Sequence, residues 1–255
     1  MELLNGKRIL ILGVANERSL AWGMAEEFKA MGARLALTYQ GDALKKRVIP
    51  LADKIGAEWT CDVDVTDLNC LKDLRDQVEK EWGQIDVLVH SVAFADRADL
   101  KGRFIETSAE GFSKAMNISA YSLVSLCNSL EGLMSEGGSV MAMSYHGSQK
   151  IIKNYNVMGV AKAALEACVR YLSVDLGDKG IRINAISAGP VKTLASSAVS
   201  GLKTIFDKVE LEAPMKRNIT KNDVGKMATF LASDLSENVT GQILYVDSGL
   251  STLGL

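Results

Sequence analysis

Two tyrosines and a lysine, Tyr145, Tyr155 and Lys162, stand close together in S-Y-H-G-S-Q-K-I-I-K-N-Y-N-V-M-G-V-A-K-A-A, residues 144–164. The seven-residue step from Tyr155 to Lys162 is about two helical turns at 100° and 1.5 Å per residue, which puts both side chains on one face roughly 10 Å apart. Two long side chains converge across such a gap. A phenol beside an ammonium donates a stronger hydrogen bond to an oxygen that is gaining negative charge, and the ammonium can also hold a sugar hydroxyl. A reduction next to a carbonyl requires both services. Ordinary amphipathic helices also carry Tyr and Lys at this spacing, so its meaning depends on the frame around it.

That frame is an alternation of strand and helix patterns along the whole chain, with no linker, repeat or low-complexity segment. K-R-I-L-I-L-G, residues 7–13, is a short apolar run that stops at glycine, the pattern of a buried parallel strand. Further strands are expected at residues 33–39, 58–63, 85–91, 139–144, 181–187 and 242–247. Helices are expected at 19–31, 42–55, 67–82, 110–131, 155–177, about 195–212, and 221–232. Seven strands with intervening helices imply an α/β, doubly wound (Rossmann) parallel sheet with helices on both faces, built as one domain over residues 1–255. Ligands of such sheets bind beyond the carboxyl ends of the strands, so the loops after residues 13, 39, 63, 91, 145 and 187 should line one crevice.

The first loop, G-V-A-N-E-R-S-L-A-W-G, joins a strand to a helix, where free amides and the helix dipole can hold a pyrophosphate. It is not G-x-G-x-x-G: Gly13 takes the tight turn, with Ser19 and Leu20 at the helix start and Gly23 inside it, and a plain turn remains the other reading. The second strand ends in Tyr39-Gln40 where an acid usually grips the adenosine ribose. Gln40 still donates and accepts, and no arginine at that position neutralises a 2′-phosphate, so NADH is expected over NADPH, with Lys45, Lys46 and Arg47 read as a solvated helix face. Asp62 either accepts from the adenine amino group, with Val63 on the ring, or caps a helix. Ser91, Val92 and Ala93 are small enough for a loop that runs under a cofactor, or for an ordinary tight turn. S-A-G-P-V-K-T-L-A-S-S, residues 187–197, has a proline-fixed bend and a hydroxyl at Thr193, which receives a carboxamide or phosphate or else caps the next helix.

Composition narrows the partners. A formal net charge of −2 with 24% charged residues and no long basic run argues against nucleic acid or an anionic membrane. Cys61, Cys70, Cys127 and Cys168 are scattered without C-x-x-C, and only His90 and His146 could join them, so neither a metal site nor a disulfide framework is expected. M-E-L-L-N-G-K lacks the form of a leader and no apolar run nears the ~20 residues of a membrane span, so a cytoplasmic location is expected.

With these residues placed, the chain closely resembles, end to end, the NADH-dependent enoyl-acyl-carrier-protein reductases of the short-chain dehydrogenase/reductase superfamily. The resemblance rests on G-V-A-N-E-R-S-L-A-W-G, L-T-Y-Q, C-D-V, V-H-S-V-A-F-A, L-E-A-C-V-R-Y, R-I-N-A-I-S-A-G-P-V-K-T-L-A and above all Tyr145 with Tyr155-x6-Lys162. Carbonyl-reducing relatives carry Tyr-x3-Lys, and no tyrosine here has a lysine four residues on. The resemblance implies hydride transfer from NADH to the β-carbon of a trans-2-enoyl thioester on acyl-carrier protein, then protonation at the α-carbon, in fatty acid synthesis. It implies that Tyr155 holds the thioester oxygen, Lys162 the nicotinamide ribose, and Tyr145 a place in protonation or in the acyl pocket. It further implies contact with substrate through the backbone of Ala95, cofactor contacts from Val191, Thr193, Leu194 and Ala195, a mobile substrate-binding segment near 195–212, and a homotetramer. The chain departs from the family at His146, where an apolar residue is frequent, at Ser200 and Thr204, where basic residues dock the carrier and only Lys203 is left, and at Ser248, usually glycine. One residue past Tyr145 on an extended segment, His146 should face away from Tyr145. Two other functions remain open on the fold: a ketone or imine reductase, and a non-catalytic sensor of dinucleotides.

Overall fold

Each strand sends alternate residues to opposite sides of one sheet, and this alternation creates two cores. The computed structural model describes residues 2–193 and 202–253. Its strands are β1 (Arg8–Leu12), β2 (Arg34–Tyr39), β3 (Trp59–Asp62), β4 (Ile85–His90), β5 (Met134–Ser144), β6 (Arg182–Ala188) and β7 (Ile243–Val246). The helices are α1 (Leu20–Ala30), α2 (Gly41–Ile55), α3 (Leu68–Trp82), α4 (Ala109–Met116), α5 (Ser122–Leu130), α6 (Asn156–Gly177), α7 (Leu202–Glu212) and α8 (Lys221–Ala232). Ile9, Ile11, Val87, Val89 and Met141 face α1, α2 and α8, where Trp22, Phe28, Leu51 and Leu231 complete one core. Leu10, Leu12, Leu88, Val140 and Ile183 face α3, α5 and α6 with Leu74, Leu126 and Leu165.

All pairings are parallel and the order is β3-β2-β1-β4-β5-β6-β7. The expected doubly wound, seven-stranded sheet is therefore the observed one. After β3 the chain returns to the other side of β1, so the order reverses between β1 and β4, where such sheets open a crevice.

Local signals set the helix ends. Asp67 accepts from the Asn69 amide ahead of α3, Gly56 ends α2 in the left-handed region at φ +67°, and Thr220 and Asp223 cap α8 reciprocally. At the amino ends of the strands, Arg8 of β1 grips Asp86 of β4 through Nε and a second guanidinium nitrogen at 2.9 and 3.1 Å.

Three expectations need correction. The single helix at 110–131 is α4 and α5 joined by a π turn, Asn117–Tyr121. There Ser119 accepts from the Phe94 amide at 2.9 Å and donates to the Phe94 carbonyl at 3.1 Å, so the wider turn brings a hydroxyl to the loop after β4. β5 begins five residues early, at Met134, with a register shift against β4. Tyr155 is the N-cap of α6 (φ −115°, ψ −26°) and not part of its first turn, so the helical-face argument holds only from Asn156 onward.

Candidate active site

The chain leaves β1 at Gly13, which no other residue could replace. Its φ is +104°, and a Cβ there would lie 2.1 Å from the carbonyl oxygen of Ser91, just past the end of β4. The Ser91 amide donates to the Leu12 carbonyl at 3.1 Å, so the two chains touch where the strand order reverses. Buried Ser19 accepts the amides of Ala15 and Asn16 on its hydroxyl at 3.0 and 3.1 Å and so shapes the turn into α1. The positive end of a helix is thus delivered to the crevice, which suits a pyrophosphate. Inside α1, a Cβ at Gly23 would meet the Lys221 carbonyl at 2.5 Å, so this glycine serves the close packing of α1 on α8.

At the far side, Gln40 follows β2 and its side-chain amide donates to Asp64 at 2.9 Å. Asp62 accepts the Gly41 amide at 2.8 Å, at the start of α2, whereas the helix after β3 is capped by Asp67. Val63 is buried in the core over α3, and Val92 packs against that same core. A 2′-phosphate beside Gln40 would meet Asp62 and Asp64, whereas a ribose hydroxyl would find an acceptor there. Past β6, a Cβ at Gly189 would lie 2.9 Å from the Cα of Asp247, Pro190 is buried, and Val191 and Thr193 are half-buried. Leu194 and Ala195 lie outside the described residues, as does the first part of the expected mobile segment.

The chemistry gathers beyond β5. Tyr145 leaves the strand extended, and its ring meets that of Tyr155 edge to face, centroids 5.0 Å apart at 72°. Asn154 and Asn156, on either side of Tyr155, have φ of +63° and +30°, a left-handed turn that only a few residue types tolerate. Gly147 lies against both rings: a Cβ there would sit 2.6 Å from the Tyr155 ring and 3.2 Å from that of Tyr145. Ala95 packs with Tyr155 on Leu100, Val157 and Ala161.

Lys162 is buried, and its Nζ donates to the Met143 carbonyl at 2.6 Å. An ammonium has three protons, so two remain for other acceptors. Burial pushes Lys162 down to about 8, against an upward pull from Glu166. Burial, helped by Tyr145, pushes the Tyr155 phenol up, and burial pushes Tyr145 up as well. His90, fully buried at the end of β4, has Nε2 2.8 Å from the Ser122 hydroxyl and is pushed down to about 3 by burial and by Lys162. His146 turns away from the tyrosine pair, its ring lying edge-on to Tyr245 of β7 at 5.9 Å. Among the described residues no group of three or more His, Cys, Asp or Glu is placed to hold a metal ion.

A strand-order reversal between β1 and β4, a glycine crossing, a helix start, two half-buried tyrosines and a buried lysine fit a nicotinamide dinucleotide and a carbonyl substrate. The model of the family described as "Enoyl-(Acyl carrier protein) reductase" matches residues 13–251. The chain belongs to this family. It is 50% identical over 253 residues to an NADH enoyl-acyl-carrier-protein reductase of Rhizobium meliloti, covering 99% of this chain and 93% of that one. A Rickettsia felis NADH reductase of the same name is 50% identical over 99% of this chain and 97% of its own length. Among solved structures, the enoyl-acyl carrier protein reductase of Bacillus cereus, with NADP+ and an indole naphthyridinone, aligns with a TM-score of 0.98 at 46% identity over 100% of both chains. That of Anaplasma phagocytophilum, with NAD, aligns at 0.95 and 47% identity over 99% of this chain and 97% of its own.

The fold thus sets Tyr145 against Tyr155, with Ala95 beside Tyr155 and Lys162 on α6, while Gly13, Gln40, Asp62 and Ser91 end or follow β1, β2, β3 and β4, and Ser19 and Leu20 start α1. Sequence reading missed Glu166, Gly147 and Ser119. Glu166 had a signal, since it stands four residues after Lys162 and hence on the same side of α6. Gly147 and Ser119 had none, because each acts on a segment remote in the chain or across a turn.

Proposed function

We propose that this protein uses NADH to reduce the 2,3 double bond of trans-2-enoyl thioesters on acyl-carrier protein, in the elongation cycle of fatty acid synthesis. One observation carries the reading: the half-buried Tyr145–Tyr155 pair and the buried Lys162, in a chain half identical, over nearly its whole length, to NADH enoyl-acyl-carrier-protein reductases. NADH, when bound, supplies the hydride that the β-carbon takes up. Tyr155 keeps its proton, because burial raises it, and donates a hydrogen bond to the thioester oxygen as that oxygen becomes an enolate. Lys162, held by the Met143 carbonyl, offers its two remaining protons to the nicotinamide ribose. Tyr145 flanks the reacting carbons, for protonation or as the wall of the acyl pocket, and Ala95 lines it through the backbone.

Gln40 with Asp62 and Asp64 favours NADH over NADPH, although the Bacillus cereus relative was solved with NADP+. The residues near 195–212 serve as the substrate-binding segment. A homotetramer accords with the exposed Tyr171 and Val174 on α6, Tyr121 in the π turn and the half-exposed edge strand β7. No helix among the described residues is long and apolar enough to cross a membrane, and we place the enzyme in the cytoplasm with the carrier it serves.

A substrate panel followed by NADH absorbance tests this. Crotonyl and longer trans-2-enoyl thioesters should be turned over with NADH at well above the rate with NADPH, and simple ketones and imines should not. Turnover of ketones in preference to enoyl thioesters, or binding of NADH with no turnover of any of them, would refute the reading.

A further inference from the structure

Glu166 is buried in α6, one turn past Lys162, and its Oε1 accepts two hydroxyls, from Ser144 at 2.5 Å and from Ser148 at 2.7 Å. Ser144 is the last residue of β5, and Ser148 closes the short 3-10 turn His146–Ser148. Between them lie Tyr145, whose ring meets Tyr155, and Gly147, which lies against both rings. One carboxylate therefore holds the segment that carries Tyr145 at both ends. The turn rests directly on α6, because Gly159 lets the Gly147 carbonyl come to where a Cβ would be 2.8 Å away. Two titratable groups on neighbouring strands feel this pair: His90 of β4, pushed down by burial and by Lys162, and Tyr245 of β7, whose phenol is raised by burial and by Glu166 and Asp247. Among the described residues, Glu166 is the acid that opposes the loss of charge at Lys162. Burying a carboxylate among apolar neighbours is costly unless it is paired or hydrogen-bonded. Here two hydroxyls and a nearby ammonium offset that cost.

We propose that Glu166 is a positioning residue for the reaction: its carboxylate fixes the Tyr145 turn through Ser144 and Ser148 and supplies the negative charge that keeps Lys162 an ammonium. This rests on the reading of Tyr155 and Lys162 given above. A plain structural glutamate would do the first task alone, and glutamine would do it as well. The second task needs the charge.

The test uses the full-length protein labelled with 13Cε-lysine, with the Lys162 signal assigned by its loss in Lys162→Gln. In Glu166→Gln an acceptor oxygen is retained and the charge removed. The Lys162 titration should fall by about one pH unit, and the alkaline limb of the kcat profile should move down with it. Double replacement, Ser144→Ala with Ser148→Ala, should leave the Lys162 titration in place and lower kcat by about tenfold, with the KM for NADH changed less than threefold or so. Glu166→Gln with an unmoved Lys162 titration would overturn the charge role, and a double serine variant with wild-type kcat would overturn the clamp. If the wild type reduced no enoyl thioester, the assigned function would fall, whereas the lysine titration would still decide whether Glu166 governs Lys162.

Discussion

Burial raises the Tyr155 phenol and lowers the Lys162 ammonium, so both are driven towards their neutral forms, and what separates them is where each titrates. Tyr155 therefore retains its proton at neutral pH, which makes it a hydrogen-bond donor and not a base there. Lys162 is different, since its charge is lost as pH rises through about 8. Replacing Tyr155 with Phe should therefore remove about 3–5 kcal/mol of barrier lowering, a 10²- to 10⁴-fold loss in turnover, while NADH titrations monitored by fluorescence stay close to wild type. A variant that retains near-normal turnover on crotonyl thioester would remove Tyr155 from the oxyanion role. The types of these residues were legible in the sequence, and so was the direction of His146, because alternation on an extended segment is a local rule. The bond from Lys162 to Met143 was not, since it exists only once β5 lies under α6. Nor was the place of Tyr155 outside the helix, because nothing in the hydrophobic pattern marks Asn154 and Asn156 as left-handed.

Between elements, the tyrosines are set by how closely the turn after β5 approaches α6. Gly147 has an ordinary φ, so an alanine there meets no backbone penalty, and the whole effect must come from its methyl against the Tyr155 and Tyr145 rings. Rings packed edge to face on one another cannot swing away freely. Gly147→Ala should therefore cost about 1–3 kcal/mol of stability by overpacking and lower kcat more than it weakens NADH binding, as seen by thermal melts alongside steady-state kinetics. A melt and a kcat equal to wild type would show that the rings have room to spare. The order of the strands and helices was legible because buried parallel strands are continuous apolar runs that stop at glycine or small residues, as K-R-I-L-I-L-G does. The break in the 110–131 helix was not legible. A π turn adds one residue to a helical turn without disturbing the apolar stripe enough to be seen, and its cause, the bond of Ser119 to Phe94, crosses two elements.

Across the whole molecule the site lies at the carboxyl ends of the strands, and the grip that sets their register lies at the other end, where Arg8 holds Asp86. Burial raises the Asp86 carboxyl, but its hydrogen bonds to the Arg8 side chain and amide and to Ser135 outweigh that and bring it below its ordinary 3.8. As pH falls, the unfolded chain takes up this proton first, so the contribution is complete above about pH 4 to 5 and lost as pH falls through the folded value. Asp86→Asn should cost about 1–3 kcal/mol at pH 7 in urea melts, and the difference from wild type should shrink steadily below pH 4. A difference independent of pH would mean that the pair acts through shape alone. The net charge and the scattered cysteines, read from composition, said nothing of this pair, because Arg8 and Asp86 meet only after β1 and β4 become neighbours. The two edges of the sheet, β3 and β7, have four residues each, against eleven in the interior strand β5. A stray strand docking on either edge would gain only a few hydrogen bonds, so a chain fresh from the ribosome, folded but without neighbours, offers little for a fibril to grow on.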